Sequence, residues 1–172
     1  MARKYKVLFL CRANSARSVM AEALLRELAG DRFEVFSAGA EPAAEVHPLT
    51  IAQLRPTLSA IDTLTPKSWL EFAASAAAPM DIIIAMCDEV SEYRAPSFPG
   101  QSVYCEWNFA DPLADGMSDS ERRRAFEQVF RQILRRASLF AALPLHSMAA
   151  HDQAQAVNAV ASADPSGCVI AP

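Results

Sequence analysis

The stretch Val7–Leu25, VLFLCRANSARSVMAEALL, changes its periodicity at Cys11. Before the cysteine, the four apolar residues Val7 to Leu10 suit a central parallel strand buried on both faces. Beyond it, Met20, Ala23, Leu24 and Leu28 recur at helical spacing, and the AGD at 29–31 supplies a glycine to end the helix. A strand, a short polar turn and a helix in succession open a βαβ unit, so this segment sets the fold class.

The same alternation continues along the chain. The first strand reads as Lys4–Leu10, and Phe33–Phe36 as a second, closed by SAGAEP, where Gly39 and Pro42 mark a loop. Helical patterns follow over Val46–Leu54 and Pro66–Ala78, the latter with Thr65 as N-cap before Pro66 in the first turn. The segment between them, RPTLSAIDTL, carries no clear period. Asp81–Met86, DIIIAM, is a β-branched strand, and Ser102–Trp107 a fourth, followed by the loop NFADPLADG. Ser118 and Glu121 form a capping-box signature ahead of an apolar stripe through Phe126, Val129, Phe130, Ile133, Leu134, Ala137 and Phe140. The arginines of that helix, Arg122 to Arg124, Arg131, Arg135 and Arg136, read as a solvated face. After Pro144 an alanine-rich segment forms a last helix, and DPSGCVIAP a loose tail. The expected architecture is an α/β three-layer sandwich, a four-stranded parallel sheet with helices on both faces. Residues 1–145 form its domain, and 146–172 a C-terminal helix and tail packed on or extending from it.

With 172 residues and 52% apolar content, the chain can bury one hydrophobic core. Sixteen basic and twenty acidic side chains give a net charge of -4, and no lysine-rich run offers a nucleic-acid footprint, so no polynucleotide partner is expected. The apolar run after MARKYK is too short for a signal peptide or a bilayer span, which predicts a cytoplasmic protein without membrane contact. Cys11, Cys87, Cys105 and Cys168 form no C-x-x-C pair, and His47, His146 and His151 lack ligand spacing with them. Reduced thiols are expected, with no metal and no bound cofactor.

Cys11-Arg12-Ala13-Asn14-Ser15-Ala16-Arg17-Ser18 lies between the first strand and the first helix, where backbone N–H groups curl into a nest that binds an oxyanion. The same dipoles, with Arg17 beside them, favour a negatively charged sulfur at Cys11, the nucleophilic form. Arg17 presents a planar fork able to grip two oxygens of a tetrahedral anion. Asn14 tolerates a left-handed backbone, and the Ser18 hydroxyl is placed to donate to the sulfur. In parallel sheets ligands collect at the carboxyl ends of the strands, and the loops there begin at Cys11, Ser37, Cys87 and Asn108.

VLFLCRANSARS resembles the Cys-x5-Arg-Ser loop of the low-molecular-weight protein tyrosine phosphatase superfamily, which also contains thiol-dependent arsenate reductases. The likeness runs through FSAGAEP, VHPLTIAQL, DIIIAMCDE, FPG, EWNFADPLADG and RRRAFEQVFRQILRR, about residues 5 to 145, and its order and spacing look more like the reductase branch. The resemblance implies that Cys11 attacks arsenate and Arg17 with the 12–17 backbone binds the oxyanion. It further implies that Asp111, in Asp111-Pro112, is the general acid, and that Cys87 resolves the Cys11–arsenic adduct into a disulfide with release of arsenite. Asp88 and Asp115 match the acid's pattern less well.

Departures from the family's pattern bear on how the cycle closes. Ala95 stands where related reductases often carry a third cysteine, so regeneration falls to a small thiol such as glutathione or mycothiol, to thioredoxin, or to Cys105 or Cys168. Cys105 alternates with Val103 and Trp107 and reads as core. Ala13 replaces a usual glycine, Ala16 a frequent cysteine, and Glu106 a frequent histidine. Two alternatives share the loop: a phosphatase acting through phosphocysteine, disfavoured because DPLADG lacks the tyrosines that flank an aromatic substrate, and a catalytically weak oxyanion-binding regulator.

Overall fold

Consecutive apolar residues fit a strand only where both faces of the sheet are covered, and Val7–Leu10 lie at its centre fully buried. The computed structural model describes residues 2–56, 58, 60–88, 90 and 94–163. Strands β1 (Tyr5–Cys11), β2 (Phe33–Gly39), β3 (Ile82–Ala85) and β4 (Val103–Glu106) form one parallel sheet in the order β2-β1-β3-β4. Helices α1 (Arg17–Ala29), α2 (Pro48–Leu54), α3 (Leu70–Ala73), α4 (Asp119–Ala141) and α5 (Ala150–Ala163) accompany it, with a 3-10 turn at Leu145–Ser147.

Period-2 alternation assigns each strand residue a face. On one face, Phe33 and Trp107 meet Phe140 of α4 at ring separations of 5.2 and 5.8 Å, and Phe9 meets Trp107 at 5.7 Å. On the other, Phe36 packs on Phe72 of α3 at 5.7 Å. The three layers are thus those the sequence implies. The chain steps from β1 outward to β2, then crosses to β3 on the other side of β1. That reversal opens a crevice at the carboxyl ends of β1 and β3, where Cys11 ends one strand and Cys87 follows the other by two residues.

Three elements differ from the sequence reading. The helix expected over Pro66–Ala78 shrinks to Leu70–Ala73, and Thr65 caps nothing. Its first part is held extended against β2: Gly39 N donates to Lys67 O at 2.8 Å and Trp69 N to Gly39 O at 3.0 Å, while Lys67 N donates to Asn14 Oδ1 at 2.8 Å. Backbone groups so committed cannot close helical turns, and the alanines beyond Ala73 have little apolar surface to bury. Second, β2 runs on to Gly39 because it pairs with β1 as far as Cys11. Third, Arg136 is not solvated: it is 2% exposed, with its guanidinium 4.7 Å from the Phe109 ring centroid and 5.9 Å from that of Trp107. A desolvated cation–π contact of this kind contributes about 2 kcal/mol. Arg123, Arg124, Arg131 and Arg135 are exposed, as expected.

The capping box at Ser118 and Glu121 forms in full. Helix α5 packs on β4 through the buried Val157 and Val160. Residues 164–172, which include Cys168, lie outside the described residues. Among the described residues no helix is long and apolar enough to cross a membrane.

His47 caps α2: its Nδ1 accepts from Leu49 N at 3.1 Å, and its ring stacks on Phe126 at 5.0 Å. Burial, then the charge of Arg122, holds its pKa below the ordinary 6.5. The folded state therefore binds fewer protons here than the unfolded chain, so this contribution is whole above about pH 6.5 and is lost as pH falls through the folded value. In thermal denaturation between about pH 7.5 and 5.5, His47→Asn, which caps without titrating, is expected to lose less stability on acidification than wild type. Equal pH slopes would contradict the assignment.

Candidate active site

The loop after β1 is shaped by where its carbonyls go. The oxygens of Cys11, Arg12, Ala13 and Ser15 accept from Ala40, Glu41, Ala43 and His47 N at 3.2, 2.9, 2.9 and 3.0 Å, and Ser15 O also accepts from Thr50 Oγ1 at 2.8 Å. With its carbonyls turned outward toward residues 40–50, the loop turns its N–H groups inward, the arrangement of an anion nest. The approach is close: a Cβ on Gly39 would stand 2.6 Å from Arg12 O and 2.9 Å from Asn14 N. Asn14 takes the left-handed conformation foreseen for it, with φ 48°.

A cavity of about 280 Å³ opens over the loop, lined by Cys11, Arg12, Ala13, Ser15, Ala16, Arg17, Glu41, Asp111 and Leu113. Arg17 is the first residue of α1, and its side chain is 6% exposed. Its Nη1 donates to Phe109 O at 3.0 Å, and its Nη2 lies 3.6 Å from Asp111 Oδ1. The acid loop is fixed in turn: Phe109 N donates to Met86 O at 3.1 Å, Leu113 N to Asp111 Oδ1 at 3.0 Å, and Arg122 of α4 to the carbonyls of Pro112 and Ala114 at 3.2 and 3.3 Å. A cysteine, a guanidinium and a carboxyl thus line one small polar space, a set whose chemistry suits attack on a tetrahedral oxyanion with protonation of the departing oxygen.

Asn14 and Ser18 do not line that space; they lie beneath it. Ser18 Oγ is 2.7 Å from Cys11 Sγ, and Asn14 N donates to the same sulfur at 3.3 Å. Asn14 Nδ2 donates to both Ser18 Oγ, at 2.8 Å, and Ser37 Oγ, at 2.9 Å. Ser37 donates to the buried carboxylate of Glu22 at 2.5 Å, and Arg26 donates to the other oxygen of Glu22 at 2.6 Å. Each hydroxyl owns one hydrogen. Ser37 spends its own on Glu22 and accepts from Asn14; Ser18 likewise accepts from Asn14, which leaves its hydrogen for the sulfur. Sequence reading did not find Glu22. The signal was present as a carboxylate among Met20, Ala23 and Leu24, four residues ahead of Arg26.

Cys87 is buried beside the site, after the strand that pairs with β1: Leu10 is in register with Ala85, and Met86 N donates to Leu10 O at 2.8 Å. Among the described residues Cys11, Cys87 and Cys105 are not joined in disulfides. Cys105 lies elsewhere, with Sγ 3.7 Å from Val157 O under α5, and burial pushes its pKa up to about 11. Among the described residues no cluster of three or more His, Cys, Asp or Glu could hold a metal ion.

Residues 6–151 match the model of the low molecular weight phosphotyrosine protein phosphatases. The chain belongs to that family. Within reach of this phosphatase family, an arsenate reductase of Bacillus cereus is 32% identical over 124 residues, 72% of this chain and 89% of its own. A glutaredoxin arsenate reductase of Synechocystis sp. is 32% identical over 66% of this chain and 81% of its own. Among solved structures, an arsenate reductase in the oxidized state aligns with a TM-score of 0.62 at 27% identity, over 80% of this chain and 96% of that one.

Ser18→Ala and Ser37→Ala are each expected to slow iodoacetamide alkylation of Cys11 at neutral pH, by about tenfold for Ser18 and less for Ser37. Wild-type rates in both would contradict a role for these hydroxyls in the reactivity of the sulfur.

Proposed function

We propose that this protein reduces arsenate to arsenite at the Cys11 site, with electrons drawn from an external thiol. The observation that carries the reading is the convergence of Cys11, Arg17 and Asp111 on one cavity, with a second thiol, Cys87, at the end of the adjacent strand. Relatives named arsenate reductase, similar along most of their length, support the same reaction.

The backbone of residues 12, 13 and 15–17, which line the cavity, and the Arg17 fork hold the arsenate oxygens. The Cys11 sulfur, stabilised as an anion by Ser18 and Asn14 N, attacks arsenic; a sulfur–arsenic bond forms, and one oxygen leaves as water with a proton from Asp111. Cys87 then attacks the Cys11 sulfur. The sulfur–arsenic bond breaks with its electron pair passing to arsenic, which leaves as arsenite, while the two sulfurs are oxidised to a disulfide.

Regeneration falls to an added thiol. Ala95 provides no third cysteine, and Cys105 is buried away from the site with its proton held tightly. Glutathione, mycothiol and thioredoxin are the candidate donors; one similar protein is named a glutaredoxin arsenate reductase and another a thioredoxin-dependent arsenate reductase. The catalytic unit is residues 1–145, braced by the C-terminal helix of the 146–172 segment, and it works in the reducing cytoplasm.

Arsenate reduction should be assayed with each donor in wild type, Cys11→Ser and Cys87→Ser, beside hydrolysis of para-nitrophenyl phosphate. Cys11→Ser is expected to lose at least about 1,000-fold in both reactions. Cys87→Ser should lose arsenate reduction and keep any phosphoester hydrolysis. Full reduction by Cys87→Ser would remove Cys87 from the mechanism. Phosphatase turnover without arsenate reduction under any donor would overturn the reductase reading, and phosphate binding without either turnover would make the protein an oxyanion-binding regulator.

A further inference from the structure

The anion-binding guanidinium of Arg17 points where its neighbours allow, and its fixed neighbour is the Phe109 carbonyl, 3.0 Å from Nη1. Two residues on, Asp111 Oδ1 lies 3.6 Å from Nη2. Whatever holds Phe109 therefore aims both Arg17 and Asp111. The backbone N–H of Phe109 is tied to Met86 O at 3.1 Å. Its ring is held by Arg136, whose guanidinium sits 4.7 Å from the ring centroid and 5.9 Å from that of Trp107.

Arg136 is the one arginine of α4 turned wholly into the core, between Ile133, Ala137 and Phe140. Packing alone would be served by leucine or methionine, without the cost of taking a charge out of water. A planar cation does what those residues cannot. Its charge is attracted to the faces of both aromatic rings, and that attraction resists tilting of the Phe109 ring.

We propose that Arg136 is a positioning residue for oxyanion binding: by clamping the Phe109 ring it fixes the Phe109 carbonyl, which holds the Arg17 guanidinium toward the cavity with Asp111 beside it. The inference rests on the reading of the Cys11–Arg17 loop as an oxyanion site. It places the control of that site on α4, across the sheet's carboxyl edge from the loop itself. The sulfur, by contrast, is governed from beneath by Ser18 and Asn14, so anion affinity and sulfur reactivity are separable.

The test compares Arg136→Met, which keeps the length of the stem, Arg136→Lys, which restores a cation, and Phe109→Leu, which keeps the carbonyl and removes the ring. Inorganic phosphate affinity is measured by calorimetric titration, kcat and KM with arsenate, and Cys11 reactivity by iodoacetamide alkylation. Arg136→Met is expected to weaken phosphate binding about tenfold and to lower kcat/KM similarly, with Cys11 alkylation within about threefold of wild type. Arg136→Lys should recover binding to within about threefold, and Arg136→Met should cost little more in the Phe109→Leu background. Phosphate affinity in Arg136→Met within about twofold of wild type, no rescue by lysine, or an equal loss of Cys11 alkylation would each overturn the proposal. Absence of phosphate binding by wild type would remove the oxyanion reading and this inference with it; binding that ignores Arg136 would remove this inference alone.

Discussion

The 2.5 Å hydrogen bond from Ser37 to the buried Glu22 carboxylate anchors the chain of polar groups that runs from the interior of α1 to the Cys11 sulfur. Ser37 donates to that carboxylate, Asn14 donates to Ser37 and to Ser18, and Ser18 Oγ keeps a hydrogen of its own 2.7 Å from the sulfur. The Asn14 amide has no freedom to flip, because Lys67 N donates to its oxygen at 2.8 Å. Burying Glu22 is costly in isolation. Arg26, one helical turn later and partly open to solvent, offsets it at 2.6 Å. Chains of this kind strengthen one another in a low-dielectric interior and fail together when one member is lost.

Around that chain, the fold supplies two independent walls. The wall beneath Cys11 is built by β1, β2 and α1, with Gly39 allowing the loop's backbone to lie against β2. The wall opposite is built by the segment after β4, which follows the end of β3 through Trp107 N to Ala85 O and Phe109 N to Met86 O and is held from outside by Arg122 and Arg136 of α4. The first wall controls the sulfur; the second controls the guanidinium and the carboxyl. Their meeting at the point where strand order reverses is why one small cavity holds all three groups.

How much of this was legible in the chain depends on the range of the interactions. The apolar run Val7–Leu10, the turn and the helix that follows are local, and they disclosed the sheet, the loop and the places of Cys11 and Arg17. The capping box at Ser118 was local as well. The helix read over Pro66–Ala78 failed because residues 67–69 are recruited by Gly39 and Asn14, partners far off in sequence. Arg136 reads as surface because an arginine within an arginine-rich helix carries no local mark of burial; its environment is made by Trp107 and Phe109. Glu22 and Ser37 escaped for the same reason, although both sit on faces whose neighbours are apolar.

In the proposed mechanism Cys11 and Cys87, at the carboxyl ends of adjacent strands, complete one oxidation before an external thiol is needed, with Cys105 held in the core and alanine at position 95. Incubating reduced protein with arsenate and no added thiol, then quenching with an alkylating agent and mapping cysteine peptides by mass spectrometry, tests this directly. One arsenite per chain, matched by a Cys11–Cys87 disulfide with Cys105 still reduced, is the expected result. Arsenate unchanged, with Cys11 and Cys87 both recovered as alkylated thiols, would contradict it.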